Sequence, residues 1–117
     1  MLRRILSLSE NTRLLISRND MLAAAGYMVS SPRRPEDALE LLNTEPFDVV
    51  ICGHSIQNPR RTRLMKEIRA CYPNLPIVFV FAAPETADSS TVADIAVDVT
   101  EPTNLVRALK DSSSGSK

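Results

Sequence analysis

The sequence Phe-Asp-Val-Val-Ile-Cys at residues 47–52 is the segment that most constrains the fold of this chain. Its last four residues form an unbroken apolar run, which predicts a strand covered on both faces, as in parallel sheets. A second apolar run, residues 77–83, is far shorter than the ~20 residues that span a bilayer and also predicts a buried strand. We therefore expect a parallel sheet.

Helical segments flank these strands on both sides. Residues 11–25 place Leu14, Leu15, Met21 and Leu22 near one helical face, and Gly26 suits the left-handed position after a helix. Pro35 predicts the start of a second helix that ends around Asn43. The remaining predicted helices are residues 62–72, a short or mobile helix at 84–95, and residues 103–110. The predicted strands are residues 4–8, 27–29, 47–52, 77–81 and 96–99.

Five alternating strand and helix units predict an α/β fold, a three-layer doubly wound sandwich. The 117 residues, 44% hydrophobic and 24% charged, fit one domain over residues 1–110. Residues 111–117 are Ser-rich and predict a disordered tail or the start of a linker.

The composition also limits the classes of partner and ligand that the chain could bind. Fourteen basic residues balance fourteen acidic ones, which argues against a dedicated nucleic-acid or membrane-surface binder. Cys52 and Cys71 belong to no Cys-x-x-Cys or Cys/His cluster, so neither zinc nor a disulfide framework is indicated. The N-terminal apolar segment is too short for a signal peptide. A soluble, cytoplasmic protein is the expectation.

In doubly wound sheets, ligands bind at the carboxyl ends of the strands, where the strand order reverses. The residues that the sequence places at this edge are Ser9, Glu10, Gly53, His54, Phe81, Ala82 and Glu101.

The chain resembles the receiver domain of bacterial two-component response regulators over residues 4–110. The similar segments are AGYMV (25–29), EDALELL (36–42), FDVVI (47–51), LMKEIR (64–69) and PNLPIV (73–78). The resemblance implies a CheY-like, flavodoxin-like (βα)5 fold with a five-stranded parallel sheet.

The residues that carry the chemistry of that family are mostly replaced. The acidic pair that holds Mg²⁺ falls on Ser9 and Glu10, and the phosphoaccepting aspartate falls on Gly53. The family's Thr or Ser after strand four falls on Phe81, and its lysine after strand five falls on Glu101. Because phosphoryl transfer needs an acceptor and cations, we expect no phosphorylation, no bound metal and no cofactor. The Phe81 ring is hypothesised to fill the space beside Gly53.

Two residues at this edge allow a sharper hypothesis. His54, the single histidine, is a conceivable substitute nucleophile or base, but no carboxylate partner is evident near it in the sequence. Cys52 could be a redox thiol, although its apolar strand favours a buried, inert side chain.

The sequence also contains two separate groups of charged residues, one basic and one acidic at the opposite rim. The basic residues of the third helix and its approach are predicted to form a solvated face rather than a phosphate or acidic-partner site. They are Arg60, Arg61, Arg63, Lys66 and Arg69. Glu10, Asp98 and Glu101 are predicted to form an acidic cluster if they lie close together.

An emptied site on a retained scaffold favours a pseudo-receiver that acts through protein–protein contact in a two-component-type pathway, not an enzyme. Its partner would be a signalling kinase, an output domain or a second copy of the chain. Members of the family commonly dock partners on the surface that falls here on residues 84–110. The candidate contact residues are Val92, Ile95, Asp98, Leu105, Val106 and Leu109.

Two other functions stay open at this point. One is a phosphocarrier or small enzyme with His54 or Cys52 as nucleophile, which would need a base, an acid or a metal nearby. The other is a module that binds a small ligand at the carboxyl edge of the strands.

Overall fold

The computed structural model describes residues 3–53, 55–57, 59–81, 95–98 and 109. The elements are β1 (Arg4–Leu8), α1 (Thr12–Ala24), β2 (Met28–Ser30), a 3₁₀ turn (Pro35–Asp37) leading into α2 (Ala38–Thr44), β3 (Val49–Gly53), α3 (Arg60–Cys71), β4 (Ile77–Phe81) and β5 (Ile95–Asp98).

The strands form one five-stranded sheet in the order β2-β1-β3-β4-β5, and every neighbouring pair is parallel. The sheet extends from β1 to β2 on one side and from β1 to β3 on the other. The order therefore reverses at the carboxyl ends of β1 and β3, which is where ligands bind in sheets of this kind. The predicted doubly wound α/β fold is confirmed.

Each face of the sheet carries its own apolar core, because successive side chains of a strand point to opposite faces. On one face, the α3-side core joins β1 and β3 to α2 and α3 through residues such as Leu8, Cys52 and Met65. On the other, the α1-side core includes Ile51, Leu22 of α1 and the fully buried Leu109.

Helix α1 shows both agreement and disagreement with its sequence pattern. The Asn11 side chain caps it by accepting the Leu14 N–H at 3.0 Å, and Gly26 has a φ of 99° after its last turn, as predicted. Leu14, however, is 47% exposed, so its place on the buried face is wrong. The face towards the sheet instead includes the half-buried residues 15 and 18 and Leu22, which is the buried residue of this helix.

Strand β3 also differs from its prediction. It begins at Val49 and ends at Gly53, whereas the predicted strand covered residues 47–52 and left Gly53 outside it. Gly53 is buried and pairs in register with Val80 of β4. The pairing partner decides this boundary, because a ladder continues as long as the neighbouring strand offers backbone groups.

The proposed partner surface is only partly described. Val92, Leu105 and Val106 lie outside the described residues, as do the segment 84–94 and the tail 111–117. Ile95 and Asp98 are described as backbone positions of β5. Leu109 is fully buried in the α1-side core, which prevents a partner from contacting its side chain and removes it from the proposed surface.

In the described part of the chain, no helix combines the length and apolar character that crossing a membrane requires.

Candidate functional site

The loops after β1 and β3 meet at the carboxyl edge of the sheet. Ser9 Oγ lies 2.8 Å from Ser55 Oγ, and the backbone N–H of Glu10 donates to Ser55 Oγ at 3.0 Å. Ser9 Oγ also accepts the Asn11 N–H at 3.1 Å. These bonds fix the first loop against the second. Ser55 was not identified from the sequence, because no motif distinguishes it from other loop serines.

The space beside Gly53 is occupied by an arginine from α1. A Cβ atom placed on Gly53 would lie 2.8 Å from Arg18 Nη2 and 3.3 Å from the Leu8 carbonyl oxygen. The first distance is shorter than a real Cβ contact, so the guanidinium and a side chain at position 53 exclude each other in this arrangement.

Arg18 is anchored through one of its two terminal nitrogens. Nη1 donates to Ser7 Oγ at 3.1 Å and to the Leu8 carbonyl oxygen at 3.4 Å. Burial lowers the pKa of Arg18 to about 10, a change slightly opposed by Cys52, and the group stays protonated at neutral pH. The edge of the sheet therefore carries a fixed cation beside Gly53.

Sequence reasoning missed Arg18, although a signal was present. Residues 15, 18 and 22 share one helical face, and Leu22 on that face is buried. Arg18 follows Leu15 by three residues and precedes Leu22 by four, so helical spacing directs it towards the sheet. Only the apolar residues of this face entered the prediction, and the arginine between them did not.

Three other predicted site residues fall outside this geometry. His54 and Glu101 lie outside the described residues, and Phe81 is described only as the last backbone position of β4. The hypothesis that the Phe81 ring fills the space beside Gly53 therefore stays a prediction. In the described structure the group that lies in that space is Arg18.

Glu10, which the resemblance predicted to be the one remaining carboxylate of the acidic pair, is held in an ion pair. Arg60 Nη2 donates to Glu10 Oε2 at 2.7 Å and to Glu36 Oε1 at 2.9 Å. Arg60 Nε donates to Glu36 as well. The bonds to Glu36 and then to Glu10 raise the pKa of Arg60. Within the described ranges, no group of three His, Cys, Asp or Glu side chains is placed to hold a metal.

Replacement of Arg60 by glutamine is expected to raise the pKa of Glu36. The hydrogen bond from Arg60 is the largest cause of a Glu36 pKa near 2, below its ordinary value of 4.5. A depressed carboxyl pKa stabilises the fold above the unfolded pKa, and that contribution is lost as the pH falls towards 2. It is small here, because the Glu36 side chain is 48% exposed and solvent screens the pair.

The measurement is an NMR titration of the Glu36 carboxyl carbon. Arg60→Gln should move the midpoint up towards 4.5, whereas Arg63→Gln, which removes an exposed charge from the same helix, should leave it unchanged. A Glu36 midpoint that is the same in the wild type and in Arg60→Gln would contradict this assignment.

The prediction of a solvated basic face on α3 is wrong at Arg61. Arg61 is 6% exposed, its Cζ lies 4.6 Å from the centre of the Phe79 ring, and Nη1 donates to the Ile56 carbonyl oxygen at 3.3 Å. Burial of an arginine is favourable only when its guanidinium packs against a ring face and its N–H groups donate hydrogen bonds. Arg63 and Lys66 are exposed, as predicted.

Cys52 has the properties of an inert core thiol. It is fully buried, and burial raises its pKa to about 12, against the opposing influence of Arg61 and Arg18. The nucleophilic form of cysteine is the thiolate, which is scarce at neutral pH when the pKa lies this high. A nucleophile at Cys52 is disfavoured.

Alkylation with iodoacetamide at neutral pH is expected to modify one thiol in the folded chain and two in urea. Cys71 is exposed and Cys52 is buried, so Cys71 should carry the native label. Mass spectrometry reads the stoichiometry and the site. The Cys71→Ser variant should take no label when folded; rapid labelling of that variant would show that Cys52 is reactive.

No protein-family model matches the chain, and neither does any curated protein. Solved structures do match it. Chemotaxis protein CheY4 of Vibrio cholerae is 20% identical with a TM-score of 0.80, covering 95% of this chain and 98% of that one. A putative response regulator from Chloroflexus aurantiacus is 21% identical with a TM-score of 0.83, covering 95% and 97%.

A third match is a complex from Thermotoga maritima, of histidine kinase ThkA with response regulator protein TrrA. The matched chain is 21% identical with a TM-score of 0.74, covering 92% of this chain and 98% of that one. The three likenesses extend over almost the whole length of both chains. They show that this chain has the CheY-like variant of the flavodoxin fold.

Proposed function

We propose that the chain is a receiver-like signalling module that works without phosphorylation, through protein–protein contact in a two-component-type pathway. The observation that carries this proposal is the Arg18 guanidinium in the space where a side chain at position 53 would project. A receiver fold is retained, while its acceptor position holds a glycine and a neighbouring cation.

The chemistry of phosphoryl transfer supports this reading. Transfer needs an acceptor oxygen and a metal that bridges the phosphate oxygens. Gly53 has no acceptor atom in a side chain, and Glu10 is engaged by Arg60 at 2.7 Å. Mg²⁺ requires carboxylates and waters in octahedral geometry, and the positive charge of Arg18 opposes a second cation at the same edge. The proposed role is therefore signalling by contact and not phosphoryl transfer.

A protein partner is favoured by the fold and by one of the matched structures. The TrrA response regulator of Thermotoga maritima forms a complex with histidine kinase ThkA. A kinase, an output domain or a second copy of the chain is the corresponding partner here. The proposed contact surface includes β5, with Ile95 and Asp98, and the flanking residues Val92, Leu105 and Val106.

Treatment with acetyl phosphate and Mg²⁺ is expected to leave the chain unmodified. Neither Gly53 nor its neighbours in the described structure offer an acceptor carboxylate with a metal site. Intact-mass spectrometry measures the adduct, with CheY4 of Vibrio cholerae treated in parallel as a test of the phosphodonor. Self-association, measured by sedimentation, should be equal with and without the phosphodonor.

Two results would refute the proposal. One is a stoichiometric phosphate adduct on this chain. The other is a change in self-association that appears only when acetyl phosphate and Mg²⁺ are both present.

A further inference from the structure

One edge of the Arg18 guanidinium, formed by Nε and Nη2, makes no hydrogen bond in the described structure. Its Nη1 makes both of its hydrogen bonds, and both acceptors, Ser7 Oγ and the Leu8 carbonyl oxygen, are neutral. No bond from Nε or Nη2 is present among the described residues. The Nε–Nη2 edge of the guanidinium is therefore without a protein partner in that part of the chain.

Some other arginines of the described structure form ion pairs with carboxylates. Arg60 pairs with Glu10 and Glu36, and Arg4 pairs with Glu45. Arg18 is withdrawn from water enough for its pKa to fall, yet it has no carboxylate among the described residues. Charges removed from water are ordinarily paired, because desolvation without a counter-charge is costly. An anion from outside the chain would supply the missing partner.

We propose that the Nε–Nη2 edge of Arg18 binds an oxyanion, a phosphate or carboxylate group of a ligand, at the carboxyl ends of β1 and β3. These two nitrogens form a planar fork that matches two oxygens of such a group in a bidentate manner. Nη1 is held by Ser7 and Leu8, so the fork is fixed in orientation before a ligand arrives.

Two features of the fold place the fork at the edge of the sheet where ligands usually bind in this fold class. It lies at the point where the strand order reverses, which is the usual ligand site of doubly wound sheets. Gly53 leaves its side-chain space to the guanidinium, since a Cβ there would come within 2.8 Å of Nη2. The inference goes beyond the proposed signalling role, because it gives the module a chemical input that replaces phosphorylation.

The test is an NMR titration of the full chain with inorganic phosphate and, separately, with acetate, at ionic strength held constant with sodium chloride. Backbone amides of Leu8 and Gly53 should shift and saturate, with a dissociation constant on the order of millimolar for the isolated anion. Tighter binding of phosphate would indicate a phosphorylated ligand, and tighter binding of acetate a carboxylate ligand; either supports the site. Shifts that never saturate with both anions would overturn it.

Variants assign the binding to the fork. Arg18→Gln should weaken binding at least tenfold. Arg13→Gln removes the same charge from an exposed position of α1 and should leave binding unchanged. Gly53→Ala keeps Arg18 but introduces the Cβ that displaces Nη2, and should also weaken binding, which covers the case that Arg18→Gln fails to fold. Saturable binding that persists unchanged in Gly53→Ala and in folded Arg18→Gln would refute the assignment.

Discussion

Replacement of Arg61 by alanine is expected to lower the free energy of unfolding by about 3 kcal/mol. Its guanidinium lies 4.6 Å from the centre of the Phe79 ring, and the residue is 6% exposed. Truncation leaves a cavity in the α3-side core and removes the contact with the ring. It also removes the N–H group that donates a hydrogen bond to the Ile56 carbonyl oxygen. Urea denaturation measures the change, as a shift of the midpoint at constant slope.

Two further variants separate packing from charge. Arg61→Met keeps most of the volume and removes the buried charge, so it should cost less than about 1.5 kcal/mol. Arg63→Ala, two residues along α3 and exposed, should stay within about 0.5 kcal/mol of the wild type. Equal midpoints for Arg61→Ala and Arg63→Ala would show that Arg61 contributes nothing to the core.

Restoration of an acidic residue by Gly53→Asp is expected not to restore phosphorylation. The new side chain projects into the space of the Arg18 guanidinium, where a Cβ alone comes within 2.8 Å of Nη2. The flexible end of Arg18 can shift, and the carboxylate then forms an ion pair with it instead of binding Mg²⁺. Labelling with acetyl phosphate and Mg²⁺ should stay at background; stoichiometric labelling would contradict this view of the site.

A double-mutant cycle measures the ion pair directly. Gly53→Asp should be destabilising in the Arg18→Gln background by about 2 kcal/mol more than in the wild type, because the carboxylate is left without a partner. The matched background is Arg13→Gln, in which Gly53→Asp should cost the same as in the wild type. Additivity of the Gly53→Asp and Arg18→Gln changes would show that the two positions do not interact.

Much of the fold followed from local sequence patterns. The apolar run at residues 49–52 predicted a buried parallel strand, and β3 is fully buried and parallel to both of its neighbours. Asn11 and Gly26 marked the two ends of α1. These features depend on side-chain hydrophobicity, capping and backbone preference within a few residues, so a single sequence contains them.

The sequence also determined what position 53 lacks, because a glycine has no acceptor whatever surrounds it. Only the tertiary structure decided what lies there instead. Arg18 is 35 residues away along the chain, and it reaches Gly53 because α1 packs its 15, 18 and 22 face on the sheet. Arg61 was assigned to solvent from its sequence, and the Phe79 ring with the Ile56 carbonyl made its burial favourable. Charge alone predicts exposure, whereas burial of an arginine depends on ring faces and oxygens brought from other elements, and these exist only in the folded chain.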